Sequence, residues 1–338
     1  MPTSMAALVY EGPKQMTMRE VPIPTIQSDE VLVKVAYSGI CGSELSGYEG
    51  KNSLRKPPLI MGHEFSGTVV EIGEQAGVER PDITPGTLIT ANPLIWCGTC
   101  RYCLSGHHYL CPKRKLLSAS LPGSNAEFVA VRAEAILVLP DDLPLTTASL
   151  TEPAACALHA VEMASPRFGE TALVAGAGPI GLLIIQALTA RGVKEIYCAD
   201  LNLERLAVAE AIGATSVKLD AESLRSSVDI AFDAVGISSV RQACVASVRP
   251  GGRVIWVGLH EAESPLPIND MIRREIASFG SFAYSPLDFR GALDALIKER
   301  FYLKDTWTRI EPLANGAACF EELLHGSSFA KIWLTPTH

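Results

Sequence analysis

The chain has 338 residues, of which 48% are hydrophobic and 20% charged, and its formal net charge is −8. This length allows two domains with separate cores, and the hydrophobic content excludes an intrinsically disordered chain. The negative charge argues against nucleic acid as a partner. We expect neither a membrane span nor a signal peptide, since no apolar run has spanning length and the N-terminus MPTSMAALVY lacks a basic and a hydrophobic region.

Nine cysteines are distributed along the chain. Their odd number and their spacing differ from those of small secreted domains held by disulfides. They suit a reducing compartment in which thiolates bind metal. We therefore expect a cytoplasmic protein.

The first 150 residues predict a strand-rich domain. Short β-prone runs alternate with turns that contain Gly, Pro or Asn. The predicted strands are Met5–Tyr10, Val31–Ser38, Phe65–Ile72, Ala126–Val131 and Ala135–Val138.

Two stretches of this domain contain potential metal ligands. Cys41 follows a predicted strand, and His63 lies just before the strand that starts at Phe65. Each residue alone is more typical of a buried structural position. Cys and His are nevertheless a natural pair of zinc ligands, and loop–strand junctions are where sites are usually built. The two residues are 22 positions apart, so only the fold could bring them together.

A cluster of four cysteines follows within fifteen residues, formed by Cys97, Cys100, Cys103 and Cys111. Four thiolates satisfy zinc in a tetrahedral site without an open position, which predicts a structural metal. An iron–sulfur cluster is the alternative, because two C-x-x-C steps and Cys111-Pro112 resemble a ferredoxin run. The last gap is seven residues instead of three, so zinc is favoured.

Glu152 precedes a predicted Ala-rich helix, Ala154–Ala164. A carboxylate at this point is either a charge at the N-terminus of the helix or a metal ligand. For an isolated Glu, stabilisation of the helix end is the simpler interpretation.

A strand, a glycine turn, a helix, a second strand and an acid follow in order. They are Thr171–Ala175, Gly176–Gly181, Leu182–Ala190, Glu195–Ala199 and Asp200. This order predicts a dinucleotide site, in which the glycines of the G-x-G-x-x-G turn let the backbone approach a pyrophosphate at the helix N-terminus. The acid would accept hydrogen bonds from the ribose hydroxyls and repel a 2′-phosphate. The sequence therefore predicts NAD and not NADP.

The αβ alternation continues with predicted strands at Val228–Phe232, Val254–Val257 and Ile276–Phe282. Alternating strands and helices indicate a doubly wound parallel sheet. Ser285–Asp288 then opens a helix, with an N-cap serine, a proline at N1 and an acid in the first turn. The tail, including Lys331–Thr335, is expected to return to the first domain because the nucleotide fold is already complete.

Together these motifs resemble the zinc-dependent medium-chain alcohol and polyol dehydrogenases. The four-cysteine run, Gly-His-Glu after a Cys-Gly-Ser loop, Thr-Glu-Pro and GAGPIG occur in that family's order, and the resemblance covers essentially the whole chain. It implies an α/β protein with a GroES-like β-rich catalytic domain at 1–152, which includes a structural zinc lobe at about 92–115. A Rossmann domain would follow at 153–285, and residues 286–338 would return to the catalytic domain.

The resemblance also implies site residues. A catalytic zinc would be bound by Cys41, His63 and a carboxylate from Glu64 or Glu152, with a position left for an alcohol oxygen, and Ser43 would carry the hydroxyl proton away. NAD would be contacted by ten residues of the Rossmann domain: Gly176, Gly178, Pro179, Ile180, Gly181, Asp200, Arg205, Val257, Gly258 and Leu259.

The sequence departs from the family pattern at several positions. Glu44 replaces the usual Asp that orients the histidine, and Ser46 replaces a relay histidine found in many members. Sorbitol dehydrogenase has a substrate-binding arginine where Ala283 stands here. Its substrate tyrosine corresponds to Gly47, with Tyr48 one place later. Sorbitol itself is therefore not the expected substrate.

The leading hypothesis is NAD-dependent oxidation of a secondary hydroxyl on a polyol, cyclitol or sugar-like alcohol. A 2,3-butanediol- or threonine-type dehydrogenase is the alternative within the same fold. A non-catalytic sensor that binds zinc and NAD is the alternative from another class, and the intact set of candidate catalytic residues argues against it. We expect a small alcohol as partner, no nucleic acid or membrane, and a homodimer or homotetramer formed through the apolar segments Arg253–Leu259 and Ile276–Phe282.

Overall fold

A computed structural model describes residues 2–219 and 224–336. The β-strands in these ranges are β1 Ser4–Gly12, β2 Gln15–Pro22, β3 Glu30–Gly39, β4 Leu59–Ile60, β5 Glu64–Ile72, β6 Leu88–Ala91, β7 Leu94–Ile95, β8 Lys115–Leu116, β9 Phe128–Arg132, β10 Ile136–Val138, β11 Thr171–Ala175, β12 Glu195–Ala199, β13 Thr215–Ser216, β14 Val228–Asp233, β15 Val248–Trp256, β16 Ala277–Gly280, β17 Thr308–Pro312 and β18 Lys331–Thr335. The α-helices are α1 Gly42–Tyr48, α2 Glu74–Glu79, α3 Arg101–Leu104, α4 Leu145–Ala148, α5 Thr151–Ala164, α6 Pro179–Ala190, α7 Leu203–Ala211, α8 Ser238–Ser247, α9 Ile268–Arg273, α10 Pro286–Ile297 and α11 Gly316–Leu324. No helix in the described part of the chain is long and apolar enough to cross a membrane.

The chain divides into two compact units. The first contains the described residues of 1–152, 285–297 and 303–338, and the second those of 153–284 and 298–302. Residues 298–302 lie in the segment that we predicted to return to the first domain. They belong to the second unit because the Gln186 side chain on α6 bonds the backbone of Tyr302 twice, accepting from its N–H at 2.8 Å and donating to its carbonyl at 3.0 Å.

The first unit is organised around β3. A sheet with the order β10-β6-β5-β3-β18-β17 is joined by β9, which also pairs with β3, and a second sheet has the order β2-β1-β4. Val31, Val33 and Val35 alternate along β3 and are buried in one apolar core with Phe65 of β5. The C-terminal strand β18 lies antiparallel to β3, with Trp333 opposite Gly39.

The second unit is built on a six-stranded sheet in the order β13-β12-β11-β14-β15-β16, with every pair parallel. The predicted doubly wound parallel sheet is confirmed. Helix α6 packs with both faces covered, and its residues from Gly181 to Leu188 are all buried. This explains why it is apolar on nearly every side.

Several predicted boundaries differ from the structure. Helix α6 begins at Pro179 and not at Leu182, because a proline with its fixed φ is well placed at the first helical position. Strand β15 begins at Val248 and not at Val254. It includes Gly252, where a Cβ would lie 2.4 Å from the Val248 side chain. Strand β2 was not predicted from the sequence. Apolar and polar residues alternate only weakly along it, because most of its residues are exposed.

Candidate metal and dinucleotide sites

Three predicted ligands of the catalytic metal lie together in the first unit. Cys41 is the N-cap residue of α1, His63 directly precedes β5, and Glu64 is the first residue of that strand. One potential ligand atom from each of the three lies within 4.8 Å of the others. The pairing of strands explains their approach, because Gly39 at the end of β3 is opposite Glu64.

Glu44 fixes the orientation of His63. Its Oε1 lies 2.8 Å from His63 Nδ1 and also accepts hydrogen bonds from the Gly62 N–H at 2.7 Å and from the Ser118 hydroxyl at 2.5 Å. The extra methylene relative to Asp therefore does not prevent contact. When Nδ1 donates to this carboxylate, Nε2 of the ring is free to bind a metal.

The electrostatics of this pair fit a cation. Burial raises the pKa of Glu44, but the charge and hydrogen bond of His63, together with Arg55 and Ser118, outweigh burial and lower that pKa to about 2. Burial lowers the pKa of His63, whereas Glu44 and Cys41 raise it well above its usual value. The surroundings of the imidazole thus stabilise positive charge, and zinc bound at Nε2 would supply that charge in place of a proton.

Lys331 is a buried partner of Glu64. Its Nζ bonds Glu64 Oε2 and donates to the carbonyl of Ile40 at 3.0 Å. The exposed fractions of the two side chains are 1% and 2%. Gly39 leaves room for this pair, because a Cβ there would lie 2.6 Å from the same carboxylate oxygen.

Glu152 is half-buried in the first turn of α5 and does not join the group formed by Cys41, His63 and Glu64. Its charge acts on Lys331. Burial lowers the pKa of Lys331, and the negative charges of Glu64, Cys41 and Glu152 raise it overall. A carboxylate in this position could move toward a metal on the same cluster, so its role as a ligand stays a prediction.

Ser43 lies at the edge of the metal group. Its hydroxyl donates to Cys41 Sγ at 3.3 Å and accepts a hydrogen bond from Arg55 Nη2 at 3.1 Å. Tyr48 is buried, and its hydroxyl donates to Glu321 Oε1 in α11 at 2.7 Å. Because that hydroxyl is already engaged, Tyr48 does not replace the tyrosine that is missing at Gly47.

The four clustered cysteines form a second potential metal site. The sulfurs of Cys97 and Cys103 are 3.9 Å apart, and those of Cys100 and Cys103 are 3.4 Å apart. A tetrahedral zinc with Zn–S bonds of about 2.3 Å places its sulfurs roughly 3.8 Å apart, which these distances match. Ligand atoms of all four, including Cys111, lie within 4.8 Å of one another.

The thiols of this lobe differ in acidity. Backbone N–H groups of Thr99 and Cys100 lower the pKa of Cys97 to about 6. Burial raises the pKa of Cys103 to about 12. A cation would favour deprotonation of the buried thiol, as expected when a metal and its ligands assemble together. None of the nine cysteines, all of which lie in the described residues, forms a disulfide.

The glycine turn of the second unit is shaped for a dinucleotide. Gly176 has a φ of 107°, and a Cβ at Gly181 would lie 1.8 Å from the carbonyl oxygen of Gly176. These two glycines are therefore required by the turn and by its contact with α6. A Cβ at Gly178, the N-cap of α6, would meet only open space. That space lies at the positive end of a twelve-residue helix, where a pyrophosphate would bind.

Asp200 is fixed at the end of β12. Its Oδ2 accepts from the Ala177 N–H at 2.6 Å, and its Oδ1 accepts from the Asn202 N–H at 2.8 Å. Beyond β15, the N–H groups of Val257 and Gly258 both donate to the carbonyl of Asp233. The other predicted cofactor residues belong to the first turns of two helices or to the turn after β15: Pro179 and Ile180 in α6, Arg205 in α7, and the exposed Leu259.

Comparisons with known proteins agree with this architecture. The model of the alcohol dehydrogenase GroES-like domain matches residues 27–141, and that of the zinc-binding dehydrogenase matches residues 179–298. D-arabitol-phosphate dehydrogenase of Enterococcus avium is 32% identical over 330 residues, which cover 94% of this chain and 93% of that protein. Sorbitol dehydrogenase of Bacillus subtilis is 32% identical over 299 residues, 84% of each chain. This chain belongs to the zinc-dependent medium-chain polyol dehydrogenases.

A solved structure supports the same assignment. A zinc-binding dehydrogenase from Sinorhizobium meliloti, bound to NADP, superposes with a TM-score of 0.91 at 27% identity and covers 99% of this chain and 100% of its own. The predicted family and the GroES-like and Rossmann fold are confirmed. As a member of this family, the protein is an oxidoreductase that uses zinc and NAD or NADP.

Three residues of this dehydrogenase contact the predicted metal site without having been predicted: Ser118, Lys331 and Arg55. A lysine that opens the otherwise apolar strand β18 is a weak signal that sequence reasoning could have used. Ser118 and Arg55 lie in loops of ordinary composition, so only the fold reveals their contacts.

Proposed function

We propose that this protein oxidises a secondary hydroxyl group of a polyol, cyclitol or sugar-like alcohol to the ketone, with NAD as the acceptor. The observation that carries the proposal is the group formed by Cys41, His63 and Glu64, with the Ser43 hydroxyl hydrogen-bonded at its edge. The names of the relatives support this substrate class, since one acts on a sugar-alcohol phosphate and the other on sorbitol.

The chain's own residues would hold and orient the metal. Cys41, His63 and a carboxylate provide the ligands, and Glu44 keeps His63 Nδ1 engaged so that Nε2 faces the metal. When bound, zinc polarises the substrate oxygen and lowers the pKa of its hydroxyl, and NAD accepts the carbinol hydride. The substrate then loses one proton and one hydride, which gives the ketone and NADH.

Ser43 is suited to receive the hydroxyl proton. A hydroxyl has one hydrogen and two lone pairs, and Arg55, which can only donate, engages one of those lone pairs. The second lone pair is available to a substrate hydroxyl. The hydrogen of Ser43 points to Cys41 Sγ here, and it would turn to water to release the proton, so that Cys41 stays a thiolate. The free lone pair of Ser43 thus supports transfer of the proton from the substrate to solvent through this hydroxyl.

Glu64 and Glu152 are proposed to alternate as the third protein ligand. Glu64 belongs to the ligand group, and Lys331 provides a buried partner for its carboxylate when it is not on the metal. Glu152 lies close enough for its charge to act on the same lysine. The positive charge of Lys331 can therefore compensate the negative charge of whichever carboxylate is not bound to the metal.

The preference for NAD follows from Asp200. Two backbone N–H groups hold both oxygens of its carboxylate in place. A fixed negative charge at the end of β12 favours ribose hydroxyls and repels a 2′-phosphate. This proposed selection depends on Asp200 alone, so it is tested separately from the zinc chemistry.

A homo-oligomer is proposed from the edge of the parallel sheet. Strand β16 pairs with β15 on one side, and all four of its residues are exposed, including Phe279. An open, apolar edge strand is suited to pair with a second copy of the chain. The odd number and the spacing of the cysteines also favour a reducing, cytoplasmic location.

Measurement of NADH formation across a panel of alcohols tests the proposed function. We expect a member of the polyol, cyclitol or sugar-like class, with or without a charged group, to give the highest kcat/KM. A preference for 2,3-butanediol or threonine would select the alternative within the fold. Zinc and NAD binding without turnover of any panel member would favour the sensor.

A further inference from the structure

Arg55 is buried but poorly satisfied. Its exposed fraction is 4%, yet within residues 2–219 and 224–336 its guanidinium makes a single hydrogen bond, from Nη2 to Ser43 Oγ. Its Nε is buried without a hydrogen-bond partner. A guanidinium carries five N–H donors and is charged at any accessible pH. A buried cation with so few partners requires an explanation.

Glu44 does not provide that explanation. The charge of Arg55 contributes to the low pKa of Glu44, but the carboxylate takes its hydrogen bonds from other groups, namely His63, Gly62, Ser118 and Cys41. Arg55 makes no ion pair in the described part of the chain. The cation therefore remains available to a negative group that is not part of the protein.

Gly47 creates the space in which Arg55 lies. A Cβ at Gly47 would be 2.3 Å from Cδ of Arg55 and 3.2 Å from its Cβ and Cγ, so any larger residue would displace the side chain. The guanidinium donates a hydrogen bond to Ser43 Oγ, and the Ser43 hydroxyl in turn donates to Cys41 Sγ. This is the neighbourhood in which the reacting hydroxyl of a substrate must lie.

We propose that Arg55 is a substrate-binding residue that pairs with an oxyanion group, a carboxylate or a phosphate, on the alcohol that this enzyme oxidises. The inference rests on the proposed function and adds the substrate's charge to it. Arginine is suited to this task because its planar donors match two oxygens of a carboxylate or phosphate at once. A neutral polyol would leave the buried positive charge of Arg55 uncompensated, which disfavours its binding.

Three five-carbon compounds that differ only at C1 provide the test: xylitol, D-xylonate and D-xylitol 1-phosphate. kcat/KM with NAD and the calorimetric Kd are measured for each, at constant ionic strength, with the zinc-loaded full chain. The variants are Arg55→Met, Arg55→Lys and Lys56→Met. The last is the matched control, because Lys56 is the neighbouring cation and is exposed.

We expect one anionic compound to exceed xylitol in kcat/KM by about 100-fold or more, the size typical of a buried charge pair. Arg55→Met should remove this advantage and weaken Kd for that compound by a similar factor, while Lys56→Met leaves both unchanged. Arg55→Lys should retain part of the advantage, and it provides the comparison if Arg55→Met does not fold. The better of the two anions distinguishes carboxylate from phosphate.

Other results would overturn the inference. If wild-type enzyme uses xylitol as well as both anions, no oxyanion is recognised. If Arg55→Met lowers kcat for all three compounds equally and leaves each Kd unchanged, Arg55 only positions Ser43. Failure to bind any of the three compounds also refutes it. Arg55-dependent binding of an anion without NADH formation would instead support this inference and contradict the proposed oxidation.

Discussion

The buried pair of Lys331 and Glu64 allows a quantitative prediction. Replacement of Lys331 by Met keeps most of the side-chain volume but removes the charge that faces Glu64. It also removes the donor to the carbonyl of Ile40, which lies 3.0 Å from Nζ. Glu64 would then be a buried carboxylate without its partner.

Removal of one partner from a buried ion pair typically costs about 3–5 kcal/mol, because the other charge is left uncompensated. For a unit of this size, each kcal/mol shifts the midpoint of thermal unfolding by about 2–4 °C. We therefore expect Lys331→Met to lower that midpoint by roughly 6–20 °C. Lys34→Met is a suitable control, since Lys34 lies on β3 of the same sheet but is exposed, and its midpoint should change little.

A double-mutant cycle with Glu64→Gln separates the pair from other effects of either substitution. Circular dichroism at one scan rate would measure the midpoints of the four proteins with equal zinc content. The double variant should lose less stability than the two single variants together, by about 2 kcal/mol or more, because neither charge remains unpaired. Additive losses, or a midpoint for Lys331→Met within about 2 °C of wild type, would show that the pair is not coupled.

Four further predictions concern the sites and the assembly. Glu152→Gln and Glu64→Gln should each reduce turnover at least about tenfold with the fold intact, whereas a Glu152 that only stabilises the start of α5 would leave activity and zinc content unchanged. NAD should be preferred over NADP at least about tenfold, or about 1.4 kcal/mol, and equal kcat/KM values would contradict the role of Asp200. Metal analysis should find two zinc ions per chain. Cys100→Ser should lower thermal stability, but protein that keeps its catalytic zinc should still oxidise substrate. Loss of activity with unchanged stability would contradict a structural role for the four-cysteine site. Light scattering at micromolar concentration should give the mass of a dimer or tetramer, and a monomeric mass would refute the role proposed for β16.

The sequence predicted local structure best where the motif itself demands a conformation. The strands β11 and β12 begin and end where they were predicted, because a tight glycine turn and Asp200 delimit them. Ser285 and Asp288 cap α10 reciprocally, as their spacing indicated: the Asp288 N–H donates to Ser285 Oγ, and the Ser285 N–H donates to Asp288 Oδ2. In these cases the contacts are between residues close in the chain.

Contacts between distant residues could not be predicted in the same way. Lys331 and Glu64 are 267 positions apart, and their meeting depends on β18 and β5 flanking the end of β3. The contact of Tyr48 could not be predicted either, because its hydroxyl donates a hydrogen bond to Glu321, which lies 273 positions further along the chain. A one-residue difference in the register of β18 or β5 would have placed other side chains where Lys331 and Glu64 meet.

The balance of charge at the metal site connects these contacts to the proposed reaction. With Cys41 as a thiolate, four negative groups would lie in or beside the zinc site, the other three being Glu44, Glu64 and Glu152. Lys331, Arg55 and a divalent zinc would together carry four positive charges. The positive and negative charges would then balance, and the buried cations would stabilise the negative charge that loss of the hydroxyl proton leaves on the substrate oxygen. The buried cations thus favour deprotonation of the substrate, and Lys331→Met should slow NADH formation even where zinc remains bound.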